Sequence, residues 1–337
     1  LDAKEMIPKE NVVVVVTNEG YIKRVSSKSY AGSREDTTLK PGDFVTGLYD
    51  CTTLDTLVVF TNLGNYLYIP VYKIPDMKWK ELGKHLNNVI MMSDEEKVLT
   101  SFMYNKDKTL VLTSKDGMVK RTLMSDFEVA RCNKPMVAMK LKENDELISV
   151  SEQKEKVLLV TENGYYLNYN VEEIPCVGVK AAGVKGINLK DDVVVSAFSY
   201  GNLDEYVTIF TNNKTAKRVK IGDLEMHSRA KKGSLLIKKT KTVTYKILCA
   251  IKTVARDLVL TKVDSEINIL KNSDITIMDL ASTGSNISKY KLELAAKVAF
   301  ITKVEQVCEE KSEAYEENKE KQNKPLSMSD FIDDFKI

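Results

Sequence analysis

Lysine and arginine stand side by side at three corresponding places in this chain, Lys23-Arg24, Lys120-Arg121 and Lys217-Arg218. Such cations bind phosphate through charge-assisted hydrogen bonds. Within a strand, neighbouring side chains point to opposite faces, so at most one member of each pair serves a given surface. Two basic loops join them. Ser228-Arg229-Ala230-Lys231-Lys232-Gly233 combines three cations with a glycine that permits close backbone approach. Val179-Lys180-Ala181-Ala182-Gly183-Val184-Lys185-Gly186 is comparable. Lys28 and Arg34 complete the candidate set. The chemistry expected of these residues is a grip on a polyanion. Catalytic signatures are missing from the sequence: the two histidines, His85 and His227, have no metal-ligand spacing, and there is no phosphate-cradling glycine loop or nucleophile elbow.

The elements that must carry these residues are announced by one phrase. Val12-Val13-Val14-Val15-Val16-Thr17-Asn18-Glu19-Gly20-Tyr21-Ile22-Lys23-Arg24 reads as a β-branched strand, a tight turn with Gly20 able to take positive φ, and a second strand. The phrase returns five times, with its threonine at 61, 113, 161, 211 and 261. A period of 44 to 52 residues predicts a repeat architecture of about four short strands per unit. A second apolar stretch follows each phrase, at 44–49, 98–104, 147–150, 193–198 and 245–251. Four-stranded units repeated radially make a closed disc, so the expected fold is all-β and six-bladed. An open solenoid is disfavoured because its repeats are usually much shorter. The first, third and fifth repeats carry the Lys-Arg pairs, whereas the second and fourth are neutral there and lead to Ile74-Pro75 and Ile174-Pro175. The lone Trp79 is expected to pack in the interior.

Composition sets the outer bounds. Apolar residues make up 43% of the 337, enough for a large core, and charged residues 29%. Residues 305–337 hold ten acidic and five basic side chains, a net −5, which leaves +7 on the remainder of a chain whose total is +2. A basic body with an acidic tail is compatible with a polyanionic partner. The tail, with Phe331, Ile332 and Phe335 near its end, is expected to be disordered or helical. Five scattered cysteines without a Cys-x-x-Cys argue against a disulfide framework or zinc site and point to a reducing cytosol. No apolar run reaches the length of a membrane span, and no signal-peptide pattern is present. The chain begins at Leu1, not Met, as a piece of a longer polypeptide would.

The phrase Gly20-Tyr21-Ile22-Lys23-Arg24 and its period resemble the C-terminal domain of the A subunit of bacterial type IIA topoisomerases. Two stretches, Asp76-Met77-Lys78-Trp79-Lys80-Glu81-Leu82-Gly83 and Glu172-Glu173-Ile174-Pro175-Cys176-Val177-Gly178, resemble the Gram-positive topoisomerase IV branch of that family. The gyrase branch carries a Gln-Arg-Arg-Gly-Gly-Lys-Gly box where this chain has Ser29 to Glu35, and no Gly-Gly occurs anywhere here. The resemblance implies a six-bladed β-pinwheel over residues 1–304, followed by the polar tail 305–337. It implies a non-catalytic domain that binds and bends double-stranded DNA, with Lys23, Arg24, Lys28, Arg34, Lys120, Arg121, Lys180, Lys185, Lys217, Arg218, Arg229, Lys231 and Lys232 as the candidate contacts. It further implies an upstream breakage-reunion domain bearing the active-site tyrosine, a B subunit, ATP and magnesium used in other domains, no cofactor in this one, no membrane partner, and a cytoplasmic, nucleoid-associated setting. The alternatives are a DNA-wrapping gyrase domain and a protein-interaction propeller. Kelch and WD propellers show Gly-Gly and Trp-Asp, neither of which occurs here.

Overall fold

Val12 to Val16 are all buried, without the alternation of a half-exposed strand. A strand reads this way when both of its faces are covered, and both are. Asn11–Thr17 lies between Tyr21–Ser26 and Val45–Thr52 in its own sheet, and that sheet is one blade of a ring stacked face to face. The computed structural model describes residues 3–304, so the acidic tail, including Phe331, Ile332 and Phe335, lies outside the described residues.

Each repeat contributes a hairpin and an inner strand. In blade 1 the hairpin pairs Val12 with Ser26 through Val16 with Ile22. The corresponding hairpins are Thr56–Thr61 with Asn65–Pro70, Thr109–Ser114 with Met118–Leu123, Lys156–Thr161 with Tyr165–Asn170, Tyr206–Thr211 with Thr215–Lys220, and Leu258–Val263 with Glu266–Lys271. The inner strands Val45–Thr52, Val98–Met103, Leu147–Glu152, Val194–Tyr200, Ile247–Thr253 and Leu294–Lys297 touch one another in succession. Apolar clusters fill the spaces between blades. Phe60 and Tyr66 of blade 2 meet Leu110, Leu112 and Phe127 of the next repeat, with Phe127 edge-on to Tyr66 at 4.9 Å.

The threonine of the phrase has a defined task. Its hydroxyl accepts from the backbone N–H four residues on, Tyr21 to Thr17 at 3.0 Å and Tyr165 to Thr161 at 3.1 Å, across a three-residue turn closed by a positive-φ glycine. In the third repeat Ser114 does this, accepting from Met118 at 3.1 Å, so the equivalent residue is Ser114 and not the expected Thr113. In the fifth repeat Lys214 takes the glycine's place at φ +67°. The sixth turns instead on Asp264-Ser265, both at positive φ, with Thr261 already opposite Asn268.

The fourth, outer strand of a blade comes from the following repeat. Lys84–His85 pairs with Tyr21 and Ile22, and Ser234–Leu235 pairs with Tyr165 and Tyr166. Met136–Val137, Val184–Lys185 and Ser285–Asn286 do the same for blades 2, 3 and 5. Among the described residues the sixth blade has three strands. Its hairpin still reaches blade 1, where a Cβ on Gly42 would stand 3.1 Å from the carbonyl oxygen of Ser265.

Candidate nucleic-acid interface

The three lysines of the Lys-Arg pairs do not face outward. Lys23, Lys120 and Lys217 are 2%, 0% and 1% exposed. The Lys23 ammonium donates to the carbonyls of Trp79 and Glu81, at 2.6 and 2.5 Å, and to the Thr37 hydroxyl. Lys120 donates to Gly178 and Val179 at 2.9 and 3.0 Å. Lys217 donates to Leu236, Asp279 and Ser282 at 2.7 to 2.9 Å. Each arginine grips the same crossing segment a few residues earlier: Arg24, Arg121 and Arg218 donate from Nε to the carbonyls of Ile74, Ile174 and Ile275, at 2.8, 2.6 and 2.6 Å. Backbone bonds flank each grip, as with Arg24 N–H to Pro75 and Met77 N–H to Arg24. The expectation that Lys23, Lys120, Lys217 and Arg218 line a phosphate-binding rim is therefore corrected, and Arg24 and Arg121 are half-buried with Nε committed to the fold. A lysine this deeply covered, with its ammonium turned to backbone carbonyls, is closed to phosphate.

The same geometry explains the alternation of repeats. An odd-numbered blade clips the segment that crosses back from the even-numbered repeat after it, so Lys-Arg and the following Ile-Pro or Ile-Thr are two halves of one contact. In blade 4 the clip is neutral: Asn168 accepts from the His227 backbone N–H at 2.9 Å, and its side-chain oxygen lies 2.9 Å from His227 Nδ1. Trp79 belongs to the first clip and not to a blade interior. Half-buried, it donates from Nε1 to Glu35 and lies 5.3 Å from the Lys23 ammonium.

The glycine of the 228–233 loop is also committed to the fold. Gly233 has φ +86°, and a Cβ there would fall 2.0 Å from the carbonyl oxygen of Tyr166. It lets the chain pass close to the neighbouring blade before the exchanged strand Ser234–Leu235, so its role is blade-to-blade contact. Gly183 occupies the same position before Val184–Lys185, 2.2 Å from the Val119 oxygen by the same measure.

The cations around these glycines do face solvent, and the structure joins two loops that the sequence left apart. Asn188 N–H donates to the Lys231 carbonyl at 2.8 Å, Ala230 N–H to Gly186 at 3.2 Å, and Arg229 Nη1 to the Lys185 carbonyl at 2.7 Å. Lys185, Lys231 and Lys232 are exposed on the resulting ledge and Arg229 is half-buried within it. Lys180 is exposed on the segment held by Lys120. Lys28 and Arg34 are exposed beyond blade 1, Lys28 in the short helix Ser27–Ala31 capped by the Ser26 hydroxyl.

A family model described as the DNA gyrase C-terminal domain, a β-propeller, matches residues 11–51, 55–103, 108–153, 155–200 and 205–242. The chain belongs to this family. The A subunit of DNA topoisomerase 4 from Staphylococcus aureus strain MRSA252 is 38% identical over 257 residues, which is 74% of this chain and 32% of that protein. The chain thus spans about a third of the length of the curated relatives it matches. A solved C-terminal domain of DNA topoisomerase IV superposes with a TM-score of 0.82 at 32% identity, covering 93% of this chain and 99% of that one. A DNA gyrase A C-terminal domain superposes with a TM-score of 0.64 at 22% identity, covering 86% and 100%, a likeness of fold. The family and its topoisomerase IV branch are those the residues indicated.

Three residues of this family member's ledge were missed from sequence. Lys190, Lys239 and Tyr165 lie beside Lys232 around one pocket. Tyr165 and Lys190 belong to the fourth repeat and Lys239 to the fifth, and the only available signal was that an exchanged outer strand must bring its flanking residues to the preceding blade. Among the described residues no group of three or more His, Cys, Asp or Glu could hold a metal, and no helix is long and apolar enough to cross a membrane. The His227 ring is tied between Asn168 and Ser234 Oγ, at 2.9 and 2.8 Å, and burial lowers its pKa.

Proposed function

We propose that this domain holds duplex DNA for the strand-passage machinery of a topoisomerase IV and has no catalytic role of its own. The observation that carries the reading is the ledge on which Lys185, Arg229, Lys231 and Lys232 converge from two repeats. Phosphate contacts hold DNA in place without reading its sequence, so binding is expected to be sequence-independent. On this reading the DNA path follows the exposed loops, Lys180 adds to it, and Lys28 and Arg34 stand apart on the blade 1 side. The parent protein would supply the breakage-reunion tyrosine upstream and pair with a B subunit, ATP and magnesium would act in those other parts, and the setting would be the bacterial cytoplasm at the nucleoid.

Salt dependence tests it. With about four to eight phosphates neutralised, log K falls against log salt with a slope of roughly −4 to −7. Replacing Arg229, Lys231 and Lys232 together by Ala flattens that slope by about 2 to 3 and weakens binding alike for all sequences. An unchanged slope with the melting temperature preserved counts against the ledge.

A further inference from the structure

Tyr165 opens the second strand of blade 4, directly after the turn glycine Gly164. Two ammonium groups lie against its ring, Lys232 Nζ at 4.7 Å and Lys239 Nζ at 5.3 Å from the centroid. Lys239 is aimed by a bond to the Asn163 carbonyl at 2.7 Å. Together with Lys190 they border a pocket of about 180 Å³. None of the three lysines makes an ion pair among the described residues. One carboxylate, Asp192, is in the lining, and its Oδ1 already accepts from the backbone N–H groups of Asn163 and Val193 at 3.0 and 2.8 Å.

A second pocket, beside the corresponding tyrosine of blade 1, has the opposite charge and a different lining. Tyr21 also follows the turn glycine, with Lys40 over its ring at 4.9 Å. There the residue before the glycine is Glu19, where blade 4 has Asn163, and the larger pocket of about 480 Å³ is bordered by Glu19, Asp94 and Glu96. Its Asp94 and Glu96 come from the following repeat, whereas Asn188 to Asp192 of the blade 4 pocket belong to that blade's own repeat.

We propose that the Tyr165 pocket is a seat for one phosphate group, supplied by the DNA backbone on the functional reading above, on which this inference rests. The lysines neutralise the phosphate, and the tyrosine ring, which orients their ammonium groups, offers a flat apolar wall to the adjoining sugar. The carboxylates of the blade 1 pocket disfavour the same group in that pocket.

The test uses the 337-residue chain and leaves the 229–232 loop intact. The variant K190A/K239A is compared with K289A/K291A, which removes the same charge from exposed lysines of repeat 6. A 20-base-pair duplex is titrated over a range of salt concentrations. The seat predicts a slope flatter by about 1 in the first variant and unchanged in the second. The proposal is overturned if the first variant keeps the wild-type slope or if both variants change equally. Should the wild-type chain bind no duplex, the functional reading fails, and inorganic phosphate titrated against the Tyr165 ring resonances decides the seat. Shifts lost in K190A/K239A support a phosphate site, and no shifts in the wild type overturn it.

Discussion

Arg121 donates from Nε to the carbonyl of Ile174 at 2.6 Å, across the boundary between blade 3 and the repeat that follows it. One residue earlier, Lys120 reaches the carbonyls of Gly178 and Val179 from the same strand. Side chains on opposite faces of the strand thereby hold two points of one crossing segment. Strand exchange leaves that segment without a complete ladder of its own, and the pair supplies the missing donors. A charge buried in this way is costly by itself, and its loss leaves carbonyls without partners.

Replacing Lys120 by Met is expected to destabilise the domain by about 1 kcal/mol, because two carbonyls of the crossing segment lose their donor. The duplex-binding salt slope should be unchanged, since this ammonium faces no solvent. Urea unfolding and a salt titration on the same variant separate a structural lysine from a phosphate contact. A preserved midpoint with a flattened slope would restore the surface role.

Stability should rise as pH increases from 8 towards 9. Burial pushes the Lys23, Lys120 and Lys217 ammonium groups down to about 8 from 10.5. Below pH 8 both states are protonated and the penalty for the buried charges is fully present. Between the two values the unfolded chain binds more protons, so stability climbs with pH. From about pH 9 the opposite trend sets in, because burial holds the Cys51 and Cys249 thiols at about 12 from 9 and Tyr49 and Tyr66 at about 12 from 10, so the unfolded chain loses those protons first. Urea midpoints across this range should pass through a maximum between about pH 9 and 10, and Lys120→Met should reduce the rise by about a third, its share of three similar groups.

Gly233→Ala should be far more damaging than Gly222→Ala. At Gly233 the backbone has φ +86° and the new methyl meets the Tyr166 oxygen, whereas at Gly222 nothing lies within 4 Å. The first change should cost more than about 2 kcal/mol through strain and a displaced exchange strand, and the second should stay within about 0.5. Thermal melts of the two variants make the comparison.

Lys214→Gly should stabilise the fifth hairpin. Lys214 sits at φ +67°, where the equivalent turn positions hold Gly20, Gly64, Gly117 and Gly164. Relief of the left-handed penalty outweighs the added chain entropy by about 0.5 to 1 kcal/mol. A raised melting temperature with an unaltered DNA salt slope is the expected result.

The hairpins were legible in the residues because their causes are local. A β-branched run, a turn hydroxyl and a glycine able to take positive φ specify strand, turn and strand within a dozen residues, and their recurrence specifies the number of blades. The shift from Thr113 to Ser114 shows the limit of reading by likeness, since either hydroxyl fits the pattern and only the register selects one.

What local causes cannot reach is which segment covers a given strand. Lys23 and Lys231 are the same residue type beside polar neighbours, yet one is buried and the other exposed. The difference lies in residues 78–81, which belong to the next repeat and cross over Lys23 only because outer strands are exchanged between blades. The same exchange turns Gly233 from a point of ligand approach into a packing contact and sets Lys185 beside Arg229. It also gathers Tyr165, Lys190 and Lys239 around one pocket. Sequence by itself determined the repeats, the turns and the charge of each loop. Tertiary structure decided which of those charges are spent on the ring's own carbonyls and which remain for a partner, because burial is a property of what lies on top of a residue.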